Sequence, residues 1–171
     1  GMTVRQKEVT EQTARAFAWY KKMLSERWYI YPFAEAFHDE PALIELRTTA
    51  GGGMGYDIIQ TKKTLLSFDL GAAYVSEQST DGLEDEYTNG HARIFHKYAL
   101  SDTSRIWEEC KFIARTEDVA DYRIEAEAGI ETDIRSGFSL KLVAENEYDA
   151  EPLAEAEKND LSISAFLVFK Y

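Results

Sequence analysis

The sequence predicts an all-β domain, an antiparallel up-and-down meander curled into a β-barrel of about eight to ten strands. Three observations predict it. Apolar and polar residues alternate with period two from about Trp28 onward. Long and short connections alternate through the second half of the chain. The alternating stretches also run beyond the about 5–6 residues typical of globular strands.

The first segment, Val4 to Leu24, reads two ways. Its Gln, Lys, Glu, Ala and Arg content favours helix, and Val9, Thr13, Phe17 and Tyr20 fall at helical spacing. As a strand it would be a ninth, whereas single-chain bacterial barrels carry an even number. Residues 1–24 are therefore an N-terminal segment, helix or additional strand, and residues 25–171 are the β-barrel domain. Gly1 before Met2 reads as a tag remnant, and no export signal follows it.

Eight strands follow, at roughly 28–38, 42–59, 64–77, 87–100, 105–117, 121–134, 138–148 and 161–171. The first is aromatic on both faces and has no predicted orientation. In the second, Ala42, Ile44, Leu46, Thr48 and Ala50 oppose Leu43, Glu45, Arg47 and Thr49. Leu66, Phe68, Leu70, Ala72 and Tyr74 oppose Ser67, Asp69, Gly71 and Ala73. Ala92, Ile94, His96 and Tyr98 oppose His91, Arg93, Phe95 and Lys97. Residues 105–117 sort less cleanly, because Glu108 falls beside Ile106, Cys110 and Phe112. The clearest strand is 121–134, with Tyr122, Ile124, Ala126, Ala128 and Ile130 on one face and Asp121, Arg123, Glu125, Glu127 and Glu131 on the other. A helix would scatter these charges around its circumference; a strand sorts them. Phe138, Leu140 and Leu142 oppose Ser139, Lys141 and Val143, and Leu161, Ile163, Ala165, Leu167, Phe169 and Tyr171 form a last apolar stripe. That strand must be paired, with strand 138–148 on one side and the first strand of the barrel on the other, because a bare edge of this hydrophobicity aggregates.

Short links at Gln60–Lys63, Ser101–Ser104 and Arg135–Gly137 alternate with the long acidic ones at Gln78–Glu86 and Asp149–Asp160. A meander with one short-turn end and one long-loop end produces this, as in bacterial outer-membrane barrels.

Composition bounds the function. A chain of 171 residues is one domain, and 44% apolar residues is too many for disorder. A net charge of −12, from 19 Lys+Arg against 31 Asp+Glu, argues against a nucleic-acid or anionic-membrane surface protein, since either would need a basic face. One cysteine excludes an internal disulfide and a Cys-based metal cluster.

An alternating barrel can turn either face inward. On the charged face eleven acids (Glu45, Asp69, Glu77, Glu109, Asp121, Glu125, Glu127, Glu131, Asp133, Glu145, Glu147) stand against seven bases (Arg47, Arg93, Lys97, Lys111, Arg115, Arg123, Lys141). Unpaired charge in a narrow lumen costs roughly several kcal/mol per ion. The excess therefore argues for charges in open water, including those of 121–133, and an apolar interior. Strand length and the aromatic chain end argue the other way, for a lipid-facing apolar surface.

No catalytic, cofactor-binding or metal-ligating residue is predicted, and no cofactor. There is no G-x-S-x-G, and the histidines are only His38, His91 and His96. His91 and His96 are five apart, so they face opposite sides of one strand and are read as structural or solvated. Glu125 and Glu127 share a face about 7 Å apart by strand geometry and are read as a charged face rather than an acid–base pair. Asp81, Glu84, Asp85 and Glu86 lack the spacing of a calcium loop. Cys110, on an apolar face, is read as a buried inert thiol. Gly51, Gly52, Gly53 and Gly55 lie within a strand and are followed by no helix, so they serve coiling or close packing rather than a phosphate.

Five stretches taken in order, "LSERWYIY", "ELRTTAGGGMGYDII", "LLSFDLGAAYVSEQ", "VADYRIEAEAGIETDIRSGFSLKLVAENEYDAEP" and "EKNDLSISAFLVFKY", resemble the salt-induced outer-membrane protein family, the YdiY-like proteins of Gram-negative bacteria. The resemblance spans about residues 19–171. It implies a non-enzymatic β-barrel of unknown molecular role in the outer membrane or periplasm, and it makes Val4 to Leu24 a strand. The partners expected are outer-membrane lipid and a second copy joined through an open barrel edge. The alternative is a soluble β-barrel binding a small apolar ligand in its interior.

Overall fold

A stretch of alternating residues satisfies its backbone only by pairing with neighbours, and this chain does so by reversing at each connection. A computed structural model describes residues 3–5, 13–39, 44–80, 82–135, 137–152 and 157–169. Its strands are β1 (Thr3–Arg5), β2 (Thr13–Trp19), β3 (Lys22–Met23), β4 (Trp28–Asp39), β5 (Ile44–Gln60) and β6 (Thr64–Ser79). They continue with β7 (Glu84–Ala99), β8 (Ser104–Arg115), β9 (Tyr122–Arg135), β10 (Phe138–Asp149) and β11 (Asn159–Phe169). All pairings are antiparallel, in the order β1-β2-β4-β5-β6-β7-β8-β9-β10-β11, with β3 beside β4. No helix occurs among the described residues.

The eight expected strands form. The largest boundary difference is at β7, which starts at Glu84 because Glu84, Asp85 and Glu86 continue the ladder opposite Gln78, Glu77 and Ser76. The N-terminal segment takes the strand alternative. Its helical composition is overridden by pairing: Thr13 to Trp19 lie opposite Asp39 to Phe33, with Arg15 held by Glu35 at 2.7 Å and the Phe17 and Phe33 rings 6.3 Å apart. Ala42, Leu43, Val9, Asp81 and Tyr171 lie outside the described residues.

The sheet curls into a half-barrel. Strands three positions apart in a flat sheet would be about 14 Å apart, yet the rings of Phe33 on β4 and His91 on β7 lie 5.6 Å apart. Curling crowds the concave face, and glycines make the room. Tyr29, Tyr31, His91 and Trp107 sit opposite Gly55, Gly53, Gly71 and Gly129 on the neighbouring strands. A Cβ on Gly55 would lie 2.1 Å from the Tyr29 ring, one on Gly129 2.1 Å from the Trp107 ring, and one on Gly71 2.5 Å from the His91 ring. Each ring thus lies on bare backbone of the next strand, which is the close packing expected of Gly53 and Gly55; Gly51 instead makes room for the Ala72 and Ala73 backbone of β6.

The concave face is the charged one. Tyr29, Asp57, Ser67, Asp69, His91 and Ser139 are buried, while Phe68, Leu70, Ile94, Phe112, Leu140 and Leu142 are exposed. This reverses the expectation drawn from the excess of acids. A count of charges ignores register, and register places opposite signs side by side. Asp69 lies opposite Arg93, Arg47 opposite Glu77, Lys111 opposite Glu125 and Arg105 opposite Glu131. Each of these pairs closes to within 3.3 Å.

β11 pairs with β10 from Phe138↔Phe169 to Tyr148↔Asn159. Its other edge, expected against the first strand of the barrel, has no strand partner among the described residues.

The ring-on-glycine packing gives a direct test. Gly55→Ala places a methyl within the Tyr29 ring and should cost about 1–3 kcal/mol by overpacking. Gly90→Ala, where an added Cβ meets nothing within 4 Å, should stay within about 0.5 kcal/mol. Chemical denaturation midpoints of the two variants measure both.

Candidate functional site: a polar network on the concave face

The network is centred on Asp69, which β6 presents to the concave face with 1% exposure. A buried carboxylate needs donors, and three side chains supply them. Tyr29 donates its hydroxyl to Oδ2 at 3.0 Å and Tyr31 donates to Oδ1 at 2.8 Å, both reaching over the glycines of β5. Arg93 donates from Nε at 2.9 Å and from a terminal nitrogen at 2.7 Å, both to Oδ2. The same guanidinium reaches Glu109 at 3.3 Å.

His91 completes the group, its Nε2 lying 2.7 Å from the Tyr31 oxygen. The single Tyr31 hydrogen is committed to Asp69, so His91 must donate from Nε2, which assigns its tautomer. The residues therefore direct their hydrogen bonds at one another. Chemically this is a cross-strand clamp over β4, β6, β7 and β8.

Two satellites extend it. Toward one end, Asp57 accepts from Ser67 at 2.7 Å and from Lys21 at 3.4 Å, with Lys21 also 3.6 Å above the Tyr29 ring centre. Toward the other, Glu125 holds Lys111 at 3.3 Å and Arg123 at 3.0 Å, and Arg123 lies 3.6 Å from Glu147. Glu127 accepts from the Trp107 indole at 2.5 Å, and Lys141 lies 4.8 Å from the centre of that ring.

The convex face is built differently. Leu70, Ile94, Ile130, Leu140 and Leu142 form an exposed apolar band. Aromatic rings border it. Near the short turns Trp28 packs on Tyr56 at 4.9 Å and Phe138 on Phe169 at 5.0 Å. Near the long loops Phe112, Tyr122 and Tyr148 form a ladder at 5.5 and 6.1 Å. His96 and Glu108, 3.7 Å apart, are a polar pair within the band.

The residues weighed from sequence separate accordingly. His91 enters the buried network, His96 is on the convex face, and His38 bonds the Glu45 carbonyl at 2.6 Å. Glu125 and Glu127 share the concave face but have separate partners. They are half-buried rather than in open water as the charge count implied, because register sets Lys111 against Glu125 and brings the Trp107 indole to Glu127. Asp85 is held by Arg115 at 2.5 Å, and no metal-binding group of His, Cys, Asp or Glu occurs among the described residues. Cys110 is exposed, not buried: its apolar face is the convex one. Sequence reading missed the cluster of Tyr29, Tyr31, Asp69 and Arg93. A signal existed in Gly51, Gly53 and Gly55, whose two-residue spacing leaves room for a row of inward rings on an adjacent strand.

The family model described as "Protein of unknown function, DUF481" matches residues 3–171. No curated protein matches the chain.

Removing the centre of the clamp should be far costlier than trimming its edge. Asp69→Ala leaves the Arg93 charge without its closest carboxylate and should cost about 3–5 kcal/mol. Tyr31→Phe removes one hydrogen-bonded hydroxyl and should cost about 1–2 kcal/mol. Equilibrium unfolding of the two variants ranks them; equal losses would refute the central place of Asp69.

Proposed function

We propose, for a chain that belongs to the DUF481 family of proteins of unknown function, a non-enzymatic β-barrel of the outer envelope whose convex surface meets lipid. The observation that carries this reading is the exposed apolar band between two aromatic borders, opposite a concave face of paired charges. In water such a surface is a liability. In a bilayer it is the arrangement of outer-membrane strands, apolar outward and polar inward, with aromatic girdles at both interfaces.

The dimensions agree. Phe138 and Tyr148 mark the two borders on β10, ten residues apart. At about 3.4 Å per residue and a tilt of about 40° this spans about 25 Å of membrane, the height of the apolar band in such barrels. The alternative, a soluble barrel holding an apolar ligand, requires an apolar interior, and the residues of the concave face weigh against it. The paired, mutually bonded side chains there favour a non-enzymatic role.

A charge in the band tests the proposal. Leu142 is half exposed on the convex face. If that face meets lipid, Leu142→Arg should lower stability in bilayers by about 2–4 kcal/mol. If it meets water, the change should be within about 0.5 kcal/mol. Unfolding titrations in vesicles and in plain buffer separate these, and a parent chain monomeric and folded without detergent would overturn the lipid-facing reading.

A further inference from the structure

Inward cations farther along the strands hold carboxylates, as in Arg47–Glu77, Arg93–Asp69 and Lys111–Glu125. Lys62, Lys63 and Lys97 differ. All three are exposed, and their side chains make no ion pair or hydrogen bond among the described residues. This departs from the chain as a whole, whose net charge of −12 offers carboxylates in excess. The three lysines are also not scattered. They converge, with Arg105, on one hollow of about 340 Å³ at the short-turn end, between the β5–β6 and β7–β8 hairpins.

The hollow has a fixed frame. Ala99 donates its backbone N–H to the Lys63 carbonyl at 2.8 Å, which ties one hairpin to the other. The Thr61 hydroxyl accepts from the Thr64 N–H at 2.9 Å, and the Ser101 hydroxyl accepts from the Ser104 N–H at 3.0 Å, so both turns are internally braced. Arg105 is held by Glu131 at 2.5 Å, and Asp102 is the acid in the lining. The cations remain in excess. A cluster of ammonium groups in excess of the carboxylates beside it, set around a concave surface, attracts a compact multivalent anion. Phosphate is the anion that lysine binds as a point charge and whose several oxygens use more than one donor.

We propose that this hollow binds a phosphate group through Lys62, Lys63 and Lys97. The phosphate has two sources, a free ion or the headgroup of an anionic lipid whose leaflet lies level with the short turns. Basic side chains at a membrane surface favour the second source. The inference goes beyond the lipid-facing reading of the convex band, since a free phosphate would be bound whether or not the band meets lipid.

The test follows backbone amide shifts of residues 60–65 and 99–105 in the full chain held in zwitterionic detergent micelles. One arm adds sodium phosphate, with sodium chloride at matched ionic strength as the screening control. The other adds short-chain phosphatidylglycerol, with phosphatidylcholine as control. Saturating shifts with phosphatidylglycerol alone assign a lipid headgroup. Saturation with both anions assigns a site that takes phosphate from either source, and saturation with inorganic phosphate alone assigns the free ion. In each case the Lys62→Gln/Lys97→Gln variant should bind at least about ten-fold more weakly, and Lys158→Gln, at the long-loop end, should leave binding unchanged. Absence of saturation in both arms, equal shifts with the controls, or unchanged binding by the double variant would overturn the proposal. Both glutamine substitutions are at exposed positions, so loss of fold does not obscure the result.

Discussion

A carboxylate taken out of water must be given its hydrogen bonds by the protein, and the shape of this sheet follows from how Asp69 receives its own. Two tyrosines and an arginine converge on it from strands on either side. For Tyr29 and Tyr31 to arrive from β4, two positions away, their rings must cross β5 with no side chain in the way. That is possible because β5 presents Gly53 and Gly55 beneath them. The glycines, the rings and the carboxylate are one device: the glycines permit curvature, the rings occupy the space, and the charge fixes where they stop. Replacing water by protein donors is neutral at best for a single ion pair. Its value here lies in geometry, because a two-residue shift of β6 against its neighbours would leave Asp69 and Arg93 buried and apart.

Much of this was legible in the amino-acid order, for a definite reason. Strand period is a local property, so Asp121 to Ile134 or Leu161 to Phe169 announce themselves without knowledge of their neighbours. Facing is not local. Whether Leu70 or Asp69 turns inward depends on whether Asp69 finds Arg93 across the ladder, and a tally of acids and bases holds no register. The same limit explains Cys110, placed correctly on the apolar face and wrongly in the interior. Residues 13–19 leave helix and strand both open in sequence because composition reports only local preference, and seven pairings with β4 decide for strand.

The two faces divide the work of stability and environment. On the concave side the polar groups hold one another in place, each dependent on the next, so loss at one propagates. On the convex side the apolar residues make few demands on one another and are set by what lies outside the protein. Family membership leaves the activity open. Specificity of a binding surface would therefore rest on turns and loops at the two ends, where side chains are neither locked into the clamp nor part of the band.

Cys110 is the only thiol of the chain, and it stands outward on β8, two residues from Phe112 in the aromatic border. Its chemistry reports its surroundings. Alkylation proceeds through the thiolate, which water stabilises and hydrocarbon does not. A cysteine bathed in buffer is modified by a water-soluble maleimide, and the same cysteine under acyl chains is silent until the bilayer is dissolved. The protein thus carries its own depth gauge, with no engineered label required.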